Sequence, residues 1–293
     1  MNIVKKITAY MRPDTTQKTY LGVSSLELDV GVLNFSDGTI RVSIENIDDI
    51  CNHRYLSVEC SVESLQDLMV CAQIKEIVQR KVTSVTSSLA ITSPIYSRYD
   101  RVMLDKGNDC FAAKVFSNFV SACKFDIVSY VDCHSEVLVN LTPHSFDISQ
   151  LDCLKTLVCV DDYNTIAPDK GALNKNKSPS LVFDKKRDLE TGKILGIELV
   201  ESNTVDFSKE FLVVDDLCEG GGTFLGLYKG FSAVYPNSKI NLYVTHGLFT
   251  NNAIDKLLSV YSKIFVYIMK KDVYDSFTES NKERLVVNYL VTE

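Results

Sequence analysis

Phe211-Leu-Val-Val-Asp215-Asp216-Leu-Cys-Glu219-Gly220-Gly221-Gly222-Thr223-Phe224 is the stretch whose reading decides the fold. Its apolar run, Phe211 to Val214, reads as a buried strand ended by two carboxylates. Three glycines and a threonine follow, and then a helical pattern begins. A strand that turns through glycine into a helix points backbone N–H groups at an anion, and glycine lets that anion come close. Asp215 and Asp216 would repel a lone phosphate. They fit beside one if they hold a diol or a metal ion, so the stretch predicts a site for a sugar phosphate with Mg²⁺.

The rest of the chain sets the bounds. Its 293 residues predict about two domains. Hydrophobic content of 45% and charged content of 24% are ordinary for a globular protein with a substantial core. A net charge of −7 argues against a general nucleic-acid binder, which would carry a basic face. The nine cysteines include no Cys-x-x-Cys pair, so buried thiols in a reducing compartment are expected, with no zinc or redox site. Met1 to Pro13 lacks the apolar core of a secretory signal, and no run is long enough to span a membrane. A cytoplasmic protein without membrane or nucleic-acid partners is expected.

Outward from the glycine run, strands are predicted at Thr156–Val160, Leu181–Phe183, 192–200, Ile240–Val244 and Lys263–Ile268, with a helix over Asn252–Tyr261. Pro143 to Leu154 bridges two halves. In the first half, strands are predicted at Ile40–Ile44, Tyr55–Cys60, Ser84–Ile91 and Ile127–Val131, and helices at Leu65–Arg80 and Cys110–Cys123. Both halves alternate strands with helices and keep polar clusters just after strands. That is the pattern of an α/β protein with sites at the carboxyl edges of mainly parallel sheets. The boundary is placed at 143/144, giving domains 1–143 and 144–293.

The polar clusters are these. Asn34-Phe35-Ser36-Asp37-Gly38-Thr39 reads locally as a tight hairpin turn. Pro94-Ile-Tyr96-Ser97-Arg98-Tyr99-Asp100-Arg101 is either a solvated loop or an arginine-bearing phosphate site. Asp132-Cys133-His134 ends a strand, whereas His53 and His144 are read as structural. Pro168-Asp169 follows Asp161 and Asp162. Lys170 to Lys177 is expected to be a mobile surface region, and Asp184-Lys185-Lys186-Arg187-Asp188 would by itself be a solvated hairpin end.

In this order the motifs resemble the ribose-phosphate diphosphokinase family, the phosphoribosyl pyrophosphate (PRPP) synthetases, from about Leu33 to Ile268. The resemblance implies two tandem phosphoribosyltransferase-type domains, each a mainly parallel sheet flanked by helices. The N-terminal one would serve ATP binding and assembly, and the C-terminal one would carry the sugar-phosphate loop. It implies Mg²⁺, ATP, ribose 5-phosphate and a homo-oligomer, dimer or hexamer. Phe35 and Asp37 would hold adenine. Arg98, Tyr99, Asp100, Arg101 and His134 would bind the rest of ATP. His134 and Asp169 would address the metal, with Asp169 also beside the ribose. Lys185 and Arg187 would be the catalytic pair. Asp215 and Asp216 would accept the ribose hydroxyls, while Glu219, Gly220, Gly221, Gly222 and Thr223 cradle the phosphate. Thr245-His246-Gly247 followed by Phe249 matches a further family stretch.

Four departures from the family pattern cluster at ligands. Thr39 replaces an acidic residue, and Tyr99 a glutamine. Lys170-Gly171-Ala172 replaces a Gly-Gly-rich run, and Glu219-Gly220-Gly221-Gly222-Thr223 replaces Asp-Thr-x-Gly-Thr. The last change opens room beside the 5′-phosphate, which brings in a larger acceptor such as ADP-ribose, with a place in NAD metabolism. A non-catalytic regulatory homologue and a single-domain salvage phosphoribosyltransferase are the other readings. The regulatory homologues tend to lose the catalytic pair or the acidic clamp, and this chain has both. The salvage enzyme would leave Arg98, His134 and Lys185 unexplained.

Overall fold

Two large sheets and one two-stranded sheet run through the described residues. The computed structural model describes residues 1–13, 25–51, 53–102, 108–176, 178–187 and 194–292. The side chains of Pro13, Lys185, Lys186, Arg187, Ile194 and Leu195 fall outside that description. The chain divides into two compact units, Lys5–Ile148 and Met1–Val4 with Ser149–Thr292. No helix among the described residues is long and apolar enough to cross a membrane.

Strand β1 (Asn2–Lys5) opens the chain and joins the sheet of the later unit. The unit Lys5–Ile148 then runs β2 (Ile7–Pro13), β3 (Leu26–Glu27), β4 (Val30–Asn34), β5 (Ile40–Ile44), β6 (His53–Cys60), α1 (Leu65–Lys81), β7 (Thr86–Ile91), α2 (Ala112–Ala122), β8 (Ile127–Val131), α3 (Val137–Leu141) and β9 (Ser145–Ile148). Its six-stranded sheet has the order β3-β2-β6-β7-β8-β9. β6 to β9 are parallel, and β2 is antiparallel to β6. Leu56, Val58, Leu89, Ile91, Val128 and Tyr130 of the sheet join one core with Leu68, Ile74 and Val78 of α1 and Phe116 and Val120 of α2. The β4–β5 hairpin is a separate two-stranded sheet fastened to α1. The Val42 N–H donates to the Gln73 side-chain oxygen at 3.1 Å, and the Gln73 amide donates to the Ile40 carbonyl at 3.1 Å.

The second unit runs α4 (Gln150–Lys155), β10 (Tyr163–Ala167), β11 (Leu181–Arg187), β12 (Ile194–Ser202), β13 (Glu210–Cys218), α5 (Gly222–Val234), β14 (Ile240–Gly247), α6 (Ala253–Leu258), β15 (Ile264–Lys270), α7 (Lys271–Asp275), α8 (Glu279–Lys282) and β16 (Leu285–Thr292). The eight-stranded sheet has the order β1-β16-β15-β14-β13-β10-β11-β12. It is parallel from β16 through to β11, and β12 folds back antiparallel on β11. Phe211, Val213, Leu242, Val244 and Val266 of its strands meet Phe224, Leu227 and Phe231 of α5 and Ile254 and Leu257 of α6. The mainly parallel, helix-flanked α/β architecture expected from sequence is what the chain adopts.

Three expectations need correction. The strand expected at Thr156–Val160 lies at Tyr163–Ala167. Residues 156–158 instead close α4, with the Leu157 and Val158 N–H groups donating to the Leu154 carbonyl, while Tyr163–Ile166 takes the parallel partners on β13. The carboxylates Asp215 and Asp216 do not end their strand, because β13 continues to Cys218 alongside β14. The short strand at Leu181–Phe183 extends through Arg187, because β12 pairs with it along that whole length. The bridge Pro143–Leu154 contains β9 and most of α4.

Candidate functional site

In the second unit the glycine run makes a tight entry into α5. Gly221 is the helix N-cap at φ +74°, a left-handed conformation that favours glycine, and an added Cβ there would lie 3.2 Å from Leu257 of α6. Gly220 and Gly222 are the reverse case, since a Cβ at either meets nothing within 4 Å. The Leu225 N–H donates to the Gly221 carbonyl at 3.0 Å, so the N–H groups of Gly222, Thr223 and Phe224 precede the first intrahelical bond. These donors, beside open space at two glycines, form an anion cradle. The loop is braced from behind by the end of β14. The Leu248 and Phe249 N–H groups donate to the Cys218 carbonyl, and the Thr250 N–H donates to that of Glu219. Thr245 and His246 are buried, so the stretch Thr245–Phe249 works as this brace.

Three carboxylates gather beside the cradle around one lysine. Asp169 caps a short 3-10 helix, Lys170–Asn174, accepting the Ala172 N–H at 3.1 Å. Lys175 follows that helix directly, and its ammonium lies 3.6 Å from the buried Asp216 carboxylate. Asp215 stands next to Asp216, whose N–H donates to the Asp215 side chain at 2.9 Å. Burial pushes the Asp215 carboxyl up to about 8, the negative charges of Asp216 and Asp169 push the same way, and Lys175 opposes them. Within the segment Lys170 to Lys177, expected to be a mobile surface region, Lys170–Asn174 form a short helix and Lys175 reaches the acidic cluster, while Lys177 lies outside the described residues. Lys175 is the residue that sequence reasoning missed, because Lys-Asn-Lys reads as solvated.

A pH prediction follows. Between the ordinary carboxylate range and about 8, the unfolded chain has released the Asp215 proton that the folded chain keeps. Stability therefore falls as pH rises through that window. In chelator-containing buffer, thermal melts at about pH 5 and about pH 8.5 should show a steeper fall for the native chain than for Asp215→Asn, which cannot ionise. Equal slopes would remove Asp215 as the titrating group.

Lys185 and Arg187 lie on β11, next to β10, whose end leads into Asp169. Their side chains are outside the described residues. Lys170 pairs with Asp184 at 3.6 Å just before them.

The first unit supplies another polar group. Arg101 pairs with Asp100 at 2.9 Å. Burial alone would raise Asp100, but the Arg101 and Ser135 hydrogen bonds, with the charges of Arg101 and His134, hold it below the usual carboxylate range. Asp100, Arg101 and His134 are therefore brought together, with His134, Arg98 and Tyr99 exposed. The Tyr99 ring lies tilted at 60° to that of Tyr96, at 6.3 Å between ring centres, and the Tyr99 carbonyl accepts the N–H of Ala113 at the start of α2. Phe35 and Asp37 sit at the tip of the β4–β5 hairpin, and their contacts are local. Phe35 is 47% exposed, and Asp37 is held low by hydrogen bonds from the Thr39 hydroxyl and N–H.

The donor set suits a hard cation bound sparingly. Among the described residues no group of three or more His, Cys, Asp or Glu is arranged to enclose a metal. Mg²⁺ is commonly held by one or two carboxylates, with phosphates and water completing the shell, and Asp169 fits that manner of binding.

Comparisons with known proteins bear on the sequence as a whole and on the fold. No family model matches the sequence. The chain is 24% identical over 245 residues to a ribose-phosphate pyrophosphokinase of Hyphomonas neptunium, covering 77% of this chain and 74% of that one. It is 26% identical over 210 residues to one of Thermoplasma volcanium, covering 70% and 72%. The fold is similar to a phosphoribosylpyrophosphate synthetase from Mycobacterium smegmatis, with a TM-score of 0.61 at 16% identity over 89% of this chain and 86% of the other. Along most of its sequence the chain is thus similar to ribose-phosphate pyrophosphokinases, and it shares the fold of a phosphoribosylpyrophosphate synthetase.

Proposed function

We propose that the protein is a diphosphotransferase that moves diphosphate from ATP to the anomeric hydroxyl of a ribose 5-phosphate moiety, giving PRPP and AMP. The observation that carries this reading is the anion cradle at Gly220–Thr223 beside the carboxylates of Asp169, Asp215 and Asp216. Phosphate donors and diol acceptors stand next to each other, as a sugar phosphate requires. The anomeric oxygen attacks the β-phosphorus of ATP, the bond from that phosphorus to the α–β bridging oxygen breaks, and AMP leaves with that oxygen. The hydroxyl proton passes to solvent. Such a transfer needs positioning and charge neutralisation more than a protein nucleophile. Asp215 and Asp216 accept the sugar hydroxyls, and Glu219 to Thr223 hold its phosphate. Arg98, Tyr99, Asp100, Arg101 and His134 bind ATP, with Phe35 and Asp37 on the adenine of a neighbouring copy's site in a homo-oligomer. Mg²⁺, addressed by Asp169 and His134, supplies charge neutralisation when bound. Lys185 and Arg187 stabilise the transferred group.

A second reading keeps the chemistry and enlarges the acceptor. The open space at Gly220 favours it, because a group attached to the 5′-phosphate would need that room. ADP-ribose is such an acceptor. One experiment tests both readings. ATP, Mg²⁺ and a panel of acceptors are incubated with the protein, and products are read by mass spectrometry. Acceptor-dependent AMP with PRPP supports the first reading, whereas faster consumption of ADP-ribose supports the second. No AMP with any acceptor would leave a regulatory homologue.

A further inference from the structure

We propose that Lys175 is a positioning residue of the acceptor site, fixing the Asp216 carboxylate in place for the sugar hydroxyls. The inference rests on the proposed function. Its grounds are local and geometric. Asp169 and Lys175 bracket the 3-10 helix Lys170–Asn174, one at each end, and the Lys175 N–H donates to the Ala172 carbonyl at 3.1 Å. A helix of five residues thus sets the spacing between the Asp169 carboxylate and the Lys175 stem. Lys175 lines a cavity of about 440 Å³ whose walls also include Leu151, Leu154, Val160 and Val214. Only 19% of the Lys175 side chain and 7% of that of Asp216 are exposed, so water screens their 3.6 Å pair weakly.

The need for a cation here follows from charge. Asp216 is buried beside Asp215, and Asp169 adds a negative charge to the same field. Burial and a like charge both oppose an ionised carboxylate, while a positive partner favours it and fixes its direction. Lys175 supplies it from outside the glycine loop and outside the strand that bears the aspartates. It needs no contact with the acceptor. Its effect would run through Asp216, which separates it from a residue that touches substrate.

The test uses the full chain and calorimetric titration with ribose 5-phosphate and Mg²⁺, alongside steady-state kinetics. Lys175→Met keeps the stem and removes the charge. It should weaken acceptor binding by about tenfold or more, the loss expected when a charge-assisted contact is no longer held in place. KM for ATP should not move, and Lys175→Arg should restore most of the affinity. Asp216→Asn and the double variant complete a cycle. If Lys175 acts through Asp216, the two losses are strongly non-additive. Unchanged acceptor binding in Lys175→Met, or additive losses, would overturn the inference while leaving the proposed function intact. A native chain that binds no sugar phosphate would overturn both. Thermal melts of each variant separate a folding defect from a binding one, and the arginine rescue covers the case in which the methionine variant is unstable.

Discussion

Lys185→Ala and Arg187→Ala should each lower kcat by roughly a thousandfold, with ATP affinity close to that of the native chain, as for removal of a cation that neutralises a transferred phosphoryl group. The reason is where charge develops. ATP is already bound by residues of the other unit in the proposed reading, so the ground state loses little. The transferred diphosphate gains its compensating charge only when it sits at the acceptor, and β11 brings Lys185 and Arg187 beside the strand that leads to Asp169. Equal falls in kcat and in kcat/KM would mark an interaction made only in the transition state. Near-normal turnover in both variants would refute their role. The cleanest measurement is single-turnover AMP release, paired with equilibrium binding of ATP.

Gly230→Ala should be the most damaging small substitution in the second unit. An added Cβ at Gly230 would lie 2.3 Å from the Ile197 carbonyl oxygen on β12, and backbone cannot step aside as a side chain can. Overpacking of this kind should cost about 3 kcal/mol, which lowers Tm by roughly 6 to 12 °C. Gly226→Ala is the control on the same helix face. Its Cβ would meet only the end of the Ile197 side chain, at 3.1 Å, and alanine is the better helix former. That variant should melt close to the native chain. If both glycine variants melt alike, the close approach of α5 to β12 is not what limits stability. The effect also reaches the proposed site, because α5 starts at the glycine loop and β12 is the antiparallel partner of the strand bearing Lys185 and Arg187.

What the sequence could and could not disclose follows from the range of the forces involved. The strand, glycine turn and helix at 211–234 were legible because periodicity and glycine chemistry are local. So was the Asp37–Gly38 turn, which closes β4 on β5 with Gly38 at φ +85°. Apolar content points to Thr156–Val160, the more apolar of the two short windows, and away from the observed strand Tyr163–Ala167. Only the parallel partners on β13 choose between them. Strands β1 and β2 went unassigned, since Met1–Pro13 carries lysines and its first partner is the end of the chain. The candidate site residues were legible as motifs. Lys175 was not, because its partner lies 41 positions away and their meeting depends on the exact length of a 3-10 helix.

The insertion of one unit within the other sets an order of assembly. Residues Lys5–Ile148 form a closed unit on their own strands, whereas Met1–Val4 belongs with Ser149–Thr292. During synthesis the inserted unit has all its strands while the outer sheet still lacks most of its own. β1 pairs with β16, where Asn2 and Asn288 meet 286 positions apart. Pairing over so long a separation is slow. The glycine loop, β11 and the acidic cluster all belong to that outer unit, whose sheet is complete only when β1 and β16 pair.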